Sequence, residues 1–183
     1  MPTDPLRLAA LASVAIAQIP PDSPTWRRDM EQVIARAHAA AWLAGTAERL
    51  GVKLDSPLLS RARLSRAERA DIKALVEKQL DYLGGFAKDR AEMSEAAIAA
   101  RMQLYAGATR ETFYAARWGD WGVPDELWPG NASPCLSNCR CSISIADNGD
   151  GTGTLTRKLG ASERSCSVCP DLAGEYPIER KAG

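Results

Sequence analysis

No cysteine occurs in the first 134 residues, and the whole 183-residue chain holds a single histidine, His38. A disulfide framework is normally spread over the fold that it staples, so the first two-thirds of the chain must fold on its core alone. No sign of charge predominates either: Lys and Arg number 23, as do Asp and Glu. A general nucleic-acid binder draws its affinity from phosphate contacts and needs a basic excess, so that class is disfavoured. Long hydrophobic runs are missing too. Leu8 to Ile19 spans 12 residues, short of the roughly 20 that cross a bilayer. Asp4 before that stretch, Gln18 within it and Pro20-Pro21 after it do not make a secretory leader. The expectation is a chain beginning at or near Met1 and made in the cytoplasm, with no membrane partner.

Catalytic signatures are also lacking. There is no glycine-rich phosphate loop, no HExxH and no GxSxG. His38 falls inside a helical pattern far in sequence from every cysteine and reads as a polar or boundary helix residue. The chain is therefore expected not to be an enzyme.

What is present is helical periodicity. Asp4-Pro5 reads as a helix start, and Leu6 to Ile19 as a helix rich in alanine and leucine that ends at Pro20-Pro21. Ser23-Pro24 repeats the start signal. Trp26, Met30, Val33, Ala37, Trp42, Leu43, Ala47 and Leu50 then recur at three- and four-residue spacing, closed by Gly51 as a C-terminal cap. Ser65 to Glu68 spells a capping box before Ile72, Leu75, Val76, Leu80 and Leu83, a third helix expected to break or kink at Gly84-Gly85. Ser94-Glu95 opens a fourth, with Ile98, Met102, Tyr105, Thr109 and Phe113 on one face. Arg61, Arg63, Arg66 and Arg69 form a small basic run that reads as solvated surface.

At Gly119 the chemistry changes. Gly119 to Pro134 is a Trp-, Pro- and Gly-rich linker loop whose tryptophans are expected to anchor on the helical body. Cys141-Ser-Ile-Ser-Ile alternates with period two, Thr152 to Leu159 is a second β-prone run, and Asp147-Asn-Gly-Asp-Gly between them tolerates positive φ. That combination predicts a β-hairpin. Position twelve counted from Asp147 is Lys158 rather than an acid, so the turn is not read as a calcium loop. The expected fold is mainly α, with residues 1–118 as a helical domain, 119–134 as the linker and 135–183 as a cysteine-rich hairpin module.

Cys135, Cys139 and Cys141 precede or begin the first strand, and Cys166-Ser-Val-Cys169 follows the second. A hairpin returns the chain to its starting point, so the two groups should face each other across its open end. Cys135, Cys139, Cys166 and Cys169 are the preferred ligands of a structural zinc ion, with Cys141 as the alternative ligand. Disulfides among the same residues remain the competing account.

Asn138-Cys139-Arg140-Cys141 and Cys166-Ser-Val-Cys169-Pro-Asp-Leu172-Ala-Gly174 resemble the C-terminal motif of phage head-morphogenesis proteins, the family of the phage Mu minor head protein. The two halves stand here in reversed order, and Leu136-Ser137 occupies the family's His-Pro position, so that Cys135 would replace the histidine ligand. The resemblance extends over about residues 95 to 178. It implies a non-enzymatic virion component, a minor head, neck or capsid-associated protein. Such a protein would be made in the bacterial host cytoplasm and assembled in multiple copies against portal, capsid or neck subunits. The reading from another class is a zinc-dependent DNA-binding regulator, for which residues 135 to 183 lack a basic excess.

Overall fold

The computed structural model describes residues 5–20, 23–57, 59, 66–89, 92–129, 141–160 and 170–181. Over these the protein is mainly helical, with a small antiparallel sheet towards the C-terminus. Four long helices, α1 (Pro5–Ala17), α2 (Trp26–Leu50), α3 (Arg66–Asp89) and α4 (Glu95–Trp118), precede three strands, β1 (Ser142–Asp147), β2 (Thr152–Lys158) and β3 (Gly174–Glu179). The chain divides into two compact units, one ending at Arg117 and the other beginning at Trp118. No described helix is long and apolar enough to cross a membrane.

In the helical unit, α2 is the central element. Trp26, Met30, Ile34, His38, Ala41 and Gly45 are all buried, a stripe stepping by four and three residues along one helix face. This stripe differs from the one expected: Ile34 and His38 take the core positions, Val33 and Ala37 flank them, and Leu43 and Leu50 are exposed. The spacing pattern alone could not choose between neighbouring apolar stripes in so alanine-rich a helix. Gly51 closes α2 as expected, at φ 65, its amide reaching back to Glu48 O.

The N-terminal half of α2 builds the core with Ala12 and Ile16 of α1, Leu83 and Phe86 of α3, and Met102, Tyr105 and Ala106 of α4. Trp26 meets Phe86 edge-on at 5.6 Å, and the Phe86 and Tyr105 ring centroids lie 6.2 Å apart. Burying each of these large side chains contributes about 1.5–3 kcal/mol. Trp26 at the start of α2 thus meets Phe86 near the end of α3. By contrast, His38 meets Thr112 and Glu48 meets Arg117, so α2 and α4 run in the same direction.

The expected break at Gly84-Gly85 does not occur; α3 continues to Asp89. Leu83 and Phe86, spaced by three on one face and wholly buried, hold the helix on both sides of the pair. Their packing outweighs the roughly 1 kcal/mol that each glycine costs. At the start of α4, Ser94 Oγ accepts the Ala97 amide at 3.3 Å, an N-cap of the expected kind. The capping box at Ser65 and Glu68 lies outside the described residues and side chains.

In the second unit, β1 and β2 form the expected hairpin, paired from Ser142↔Lys158 to Asp147↔Gly153. β3, which the sequence did not disclose, adds to β2 from Thr152↔Glu179 to Arg157↔Gly174. Pro177 in its middle and its charged flanks argue against a strand when read in isolation. The segment after α4 then lies along β3: Trp121 bridges Arg180, the Gly122 amide donates to Glu179 O at 2.7 Å, and the Lys181 amide donates to Asp120 O at 2.9 Å. Trp121 is buried, and its ring lies over Gly153, where a Cβ would stand 2.8 Å from two ring carbons. Trp121 is therefore part of the core of the sheet unit.

Candidate functional site

The five cysteines are the residues that the sequence singles out. Four of them, Cys135, Cys139, Cys166 and Cys169, lie outside the described residues. The fifth, Cys141, is buried immediately before β1, on the strand face that carries Ile143. Register locates the ends of the segments that hold the others. β1 begins opposite the end of β2, at Ser142↔Lys158, and β3 begins opposite Arg157, at Gly174. A 3-10 turn at Pro170–Leu172, next in sequence to Cys169, leads into β3. The chain thus arrives at β1, leaves β2 and arrives at β3 at one end of the sheet. Among the described residues, no group of three His, Cys, Asp or Glu side chains comes together in a way that could hold a metal ion.

The opposite end of the sheet is closed by its own hydrogen bonds. Asp147 Oδ1 accepts the Gly149 amide at 2.8 Å, and Asp150 Oδ1 accepts both the amide and the hydroxyl of Thr152, at 2.8 and 2.6 Å. These bonds hold both carboxyls below their ordinary range: for Asp147 chiefly the Gly149 amide and then Arg180, for Asp150 chiefly the Thr152 hydroxyl. Gly149 at φ 85 and Gly151 at φ 89 supply the left-handed conformations that the turn needs. Arg180 ties the turn to its surroundings. Its Nη2 donates to Asp147 Oδ2 at 2.6 Å, its Nη1 lies 3.6 Å from Asp120, and its guanidinium stacks 4.9 Å from the Trp121 ring centre. Beside it, an open concavity of about 650 Å³ is lined by residues that include Asn148, Thr154, Pro177 and Lys181. The aspartates that imitate a calcium loop are thus engaged within the turn itself.

His38 is not the boundary residue that its sequence neighbourhood suggested. It is 1% exposed, and its Nδ1 shares a 2.6 Å hydrogen bond with Thr112 Oγ1. Burial pushes its pKa down to about 4, so the ring is neutral at physiological pH. The partner, 74 residues downstream, is a threonine, which neither orients the imidazole as a carboxylate would nor makes a base of it. The arrangement is that of a core histidine bonded through Nδ1, its Nε2 buried without a partner among the described residues.

One residue that sequence reasoning passed over is Arg157. It occupies the third inward position of β2, after Gly153 and Leu155, and is only 2% exposed. Strict alternation along β2 was the signal that could have found it, since Arg157 shares the face of Leu155.

No protein-family model, no curated protein and no solved structure matches this chain.

Proposed function

We propose that the protein is a non-enzymatic bacteriophage virion component, a minor head, neck or capsid-associated subunit, acting by protein–protein assembly and carrying a zinc-locked C-terminal module. The Asn138-Cys139-Arg140-Cys141 element carries the reading, together with the sheet end to which it leads. Cys139 lies two residues before the buried Cys141, and Cys169 lies one residue before Pro170. At roughly 3.3–3.6 Å per residue, a ligand at either position would need only a short reach to that end of the sheet. Thiolates gathered there from both groups would close a tetrahedral site, which makes a small module rigid with few residues.

Assembly as the mode of action draws support from α1. Ile16 and Ala12 pack into the core, while Leu11 and Val14 stay 62% and 58% exposed. The helix thus has apolar side chains left over for a neighbouring subunit. In the linker loop, by contrast, Trp121 and Leu127 are buried and leave no such surface.

Two experiments test the reading. Metal analysis of the purified protein, with thiol titration after chelation in denaturant, should give one zinc and five thiols per chain; no zinc and a single thiol would mean two disulfides instead. Particles purified from a producing host should contain the chain at stoichiometric levels, and its exclusion from them would overturn the virion role. A zinc protein that shifts duplex DNA and stays out of particles would establish the regulator in its place.

A further inference from the structure

The sheet guards one of its edges and not the other. On β3, Pro177 has no amide to offer, and the chain at Trp121 and Gly122 lies along the strand. β1 has neither safeguard. Ser142 to Asp147 contains no proline and no lysine, and its residues pair one for one with β2 without a bulge. Among the described residues nothing pairs along its far side. Sheets blunt their edges with such devices because a row of free donors and acceptors recruits another strand.

The register says which groups are free. The Asn148 amide donates to Thr152 O at 3.0 Å, which makes Asn148 and Thr152 a hydrogen-bonded pair. Such pairs alternate along an antiparallel ladder. The next in this register are Ala146 with Thr154, Ser144 with Thr156, and Ser142 with Lys158. The amides and carbonyls of Ile143 and Ile145 therefore point away from β2. Side chains sort by face as well. Ile143 is buried, and Ile145 is only half-buried although Leu155 opposite it is wholly buried. Ser142, Ser144 and Ala146 are exposed on the other face.

A strand that fits this edge needs isoleucine-like side chains on one face, small ones on the other, and free groups at the same two-residue interval. β1 itself meets all three conditions. When two copies run antiparallel about a twofold axis at Ser144, Ile143 of each stands against Ile145 of the other. Each such pair exchanges two backbone hydrogen bonds. Ser144 then faces Ser144, Ser142 faces Ala146, and the Asp147 carboxylates lie at opposite ends, so no like charges are opposed.

We propose that β1 pairs with β1 of a second copy of this chain in that register, joining the two sheets into one. The pairing stands independently of the virion reading, since it rests on the sheet unit alone. Sedimentation equilibrium of the full chain from roughly 1 μM to 1 mM should show monomer and dimer in exchange. Amide hydrogen exchange at Ile143 and Ile145 should slow as the dimer fills. Ser144→Lys sets two ammonium groups against each other at the axis, and Ser144→Glu two carboxylates. Ser144 is exposed, so both variants should keep the parent's circular dichroism. Each should dimerise roughly fivefold more weakly, because opposed like charges cost about what a good cross-strand pair gains. An equimolar mixture of the two variants should recover the parent's affinity. A chain that stays monomeric throughout would overturn the proposal and leave the edge to a strand of another protein. A dimer indifferent to both charges and to their mixing would refute it, because its interface would lie elsewhere. Slow exchange at Ile143 and Ile145 in the monomer would refute it too, since the edge would then be covered within one chain.

Discussion

Replacing Gly45 by alanine reverses the usual sign of a helix substitution. In an open helix interior the change is stabilising by about 1 kcal/mol, because alanine loses less conformational freedom on folding. At Gly45 the new Cβ would press into the Phe113 carbonyl oxygen, and would lie 2.8 Å from Ala116 Cβ and 3.1 Å from the Arg117 amide nitrogen. Comfortable separations are about 3.5–4.0 Å, so α2 and α4 would have to part by something near 1 Å. Overpacking of this kind costs about 1–3 kcal/mol. Moving the helices apart also strains the buried His38–Thr112 hydrogen bond, whose loss costs a further ~1 kcal/mol. After subtracting the propensity gain, Gly45→Ala should destabilise the protein by about 1–3 kcal/mol. Gly84→Ala is the internal control, since a Cβ there meets nothing within 4 Å; it should gain up to about 1 kcal/mol. Urea unfolding followed by far-ultraviolet circular dichroism measures both. A Gly45→Ala protein as stable as the Gly84→Ala protein would show that α2 and α4 are not in close contact at this glycine.

Other outcomes follow from single contacts. With a folded pKa of about 4 against 6.5 unfolded, neutral His38 leaves stability intact above pH 6.5. That stability drains away as pH falls from 6.5 towards 4, by roughly 3 kcal/mol in all. The free-energy difference between the parent and His38→Gln should therefore change with pH across that window, and a constant difference would contradict the buried neutral ring. Gly153→Val should drive Trp121 out of its place, because a Cβ stands 2.8 Å from the ring; the emission attributable to Trp121, isolated by comparison with Trp121→Phe, should move to longer wavelength. Arg180→Ala should speed amide exchange at Gly149 and Thr152 while leaving α2 and α4 unchanged, since Arg180 links the turn at Asp147 to Asp120 and Trp121. Equal rates in the two proteins would mean that the turn holds itself.

Helix count and the main hairpin could be read from the sequence because their signals are local: proline and serine starts, the Gly51 cap, and alternation on either side of Asp147 to Gly151. What escaped were the decisions made by distant partners. His38 looks polar in its own helix and becomes core because Thr112 comes to meet it. Gly84-Gly85 looks like a break and is carried through by Leu83 and Phe86. β3 has too weak a pattern to declare itself, and its pairing with β2 and with the chain at Gly122 makes it a strand. Arg157 was hidden by residue type, since an arginine in an alternating strand is read as outward-facing until the register shows otherwise. For the cysteines, the sequence offers spacing alone, and register adds that β1 and β3 begin, and β2 ends, at one end of the sheet.

The pairing of Asp120 with Lys181 has a mechanical meaning. The sheet unit is threaded like a loop drawn from a single knot: the strand-like segment that opens it and the segment that closes it lie side by side and run in opposite directions. Tension applied between these two points loads the cross-links one after another, as in a zipper, instead of all together in shear. The unit should thus peel open from this seam at low force. The same adjacency makes it portable, because a folded block whose two ends already touch can be set into a surface loop of another protein without stretching its host.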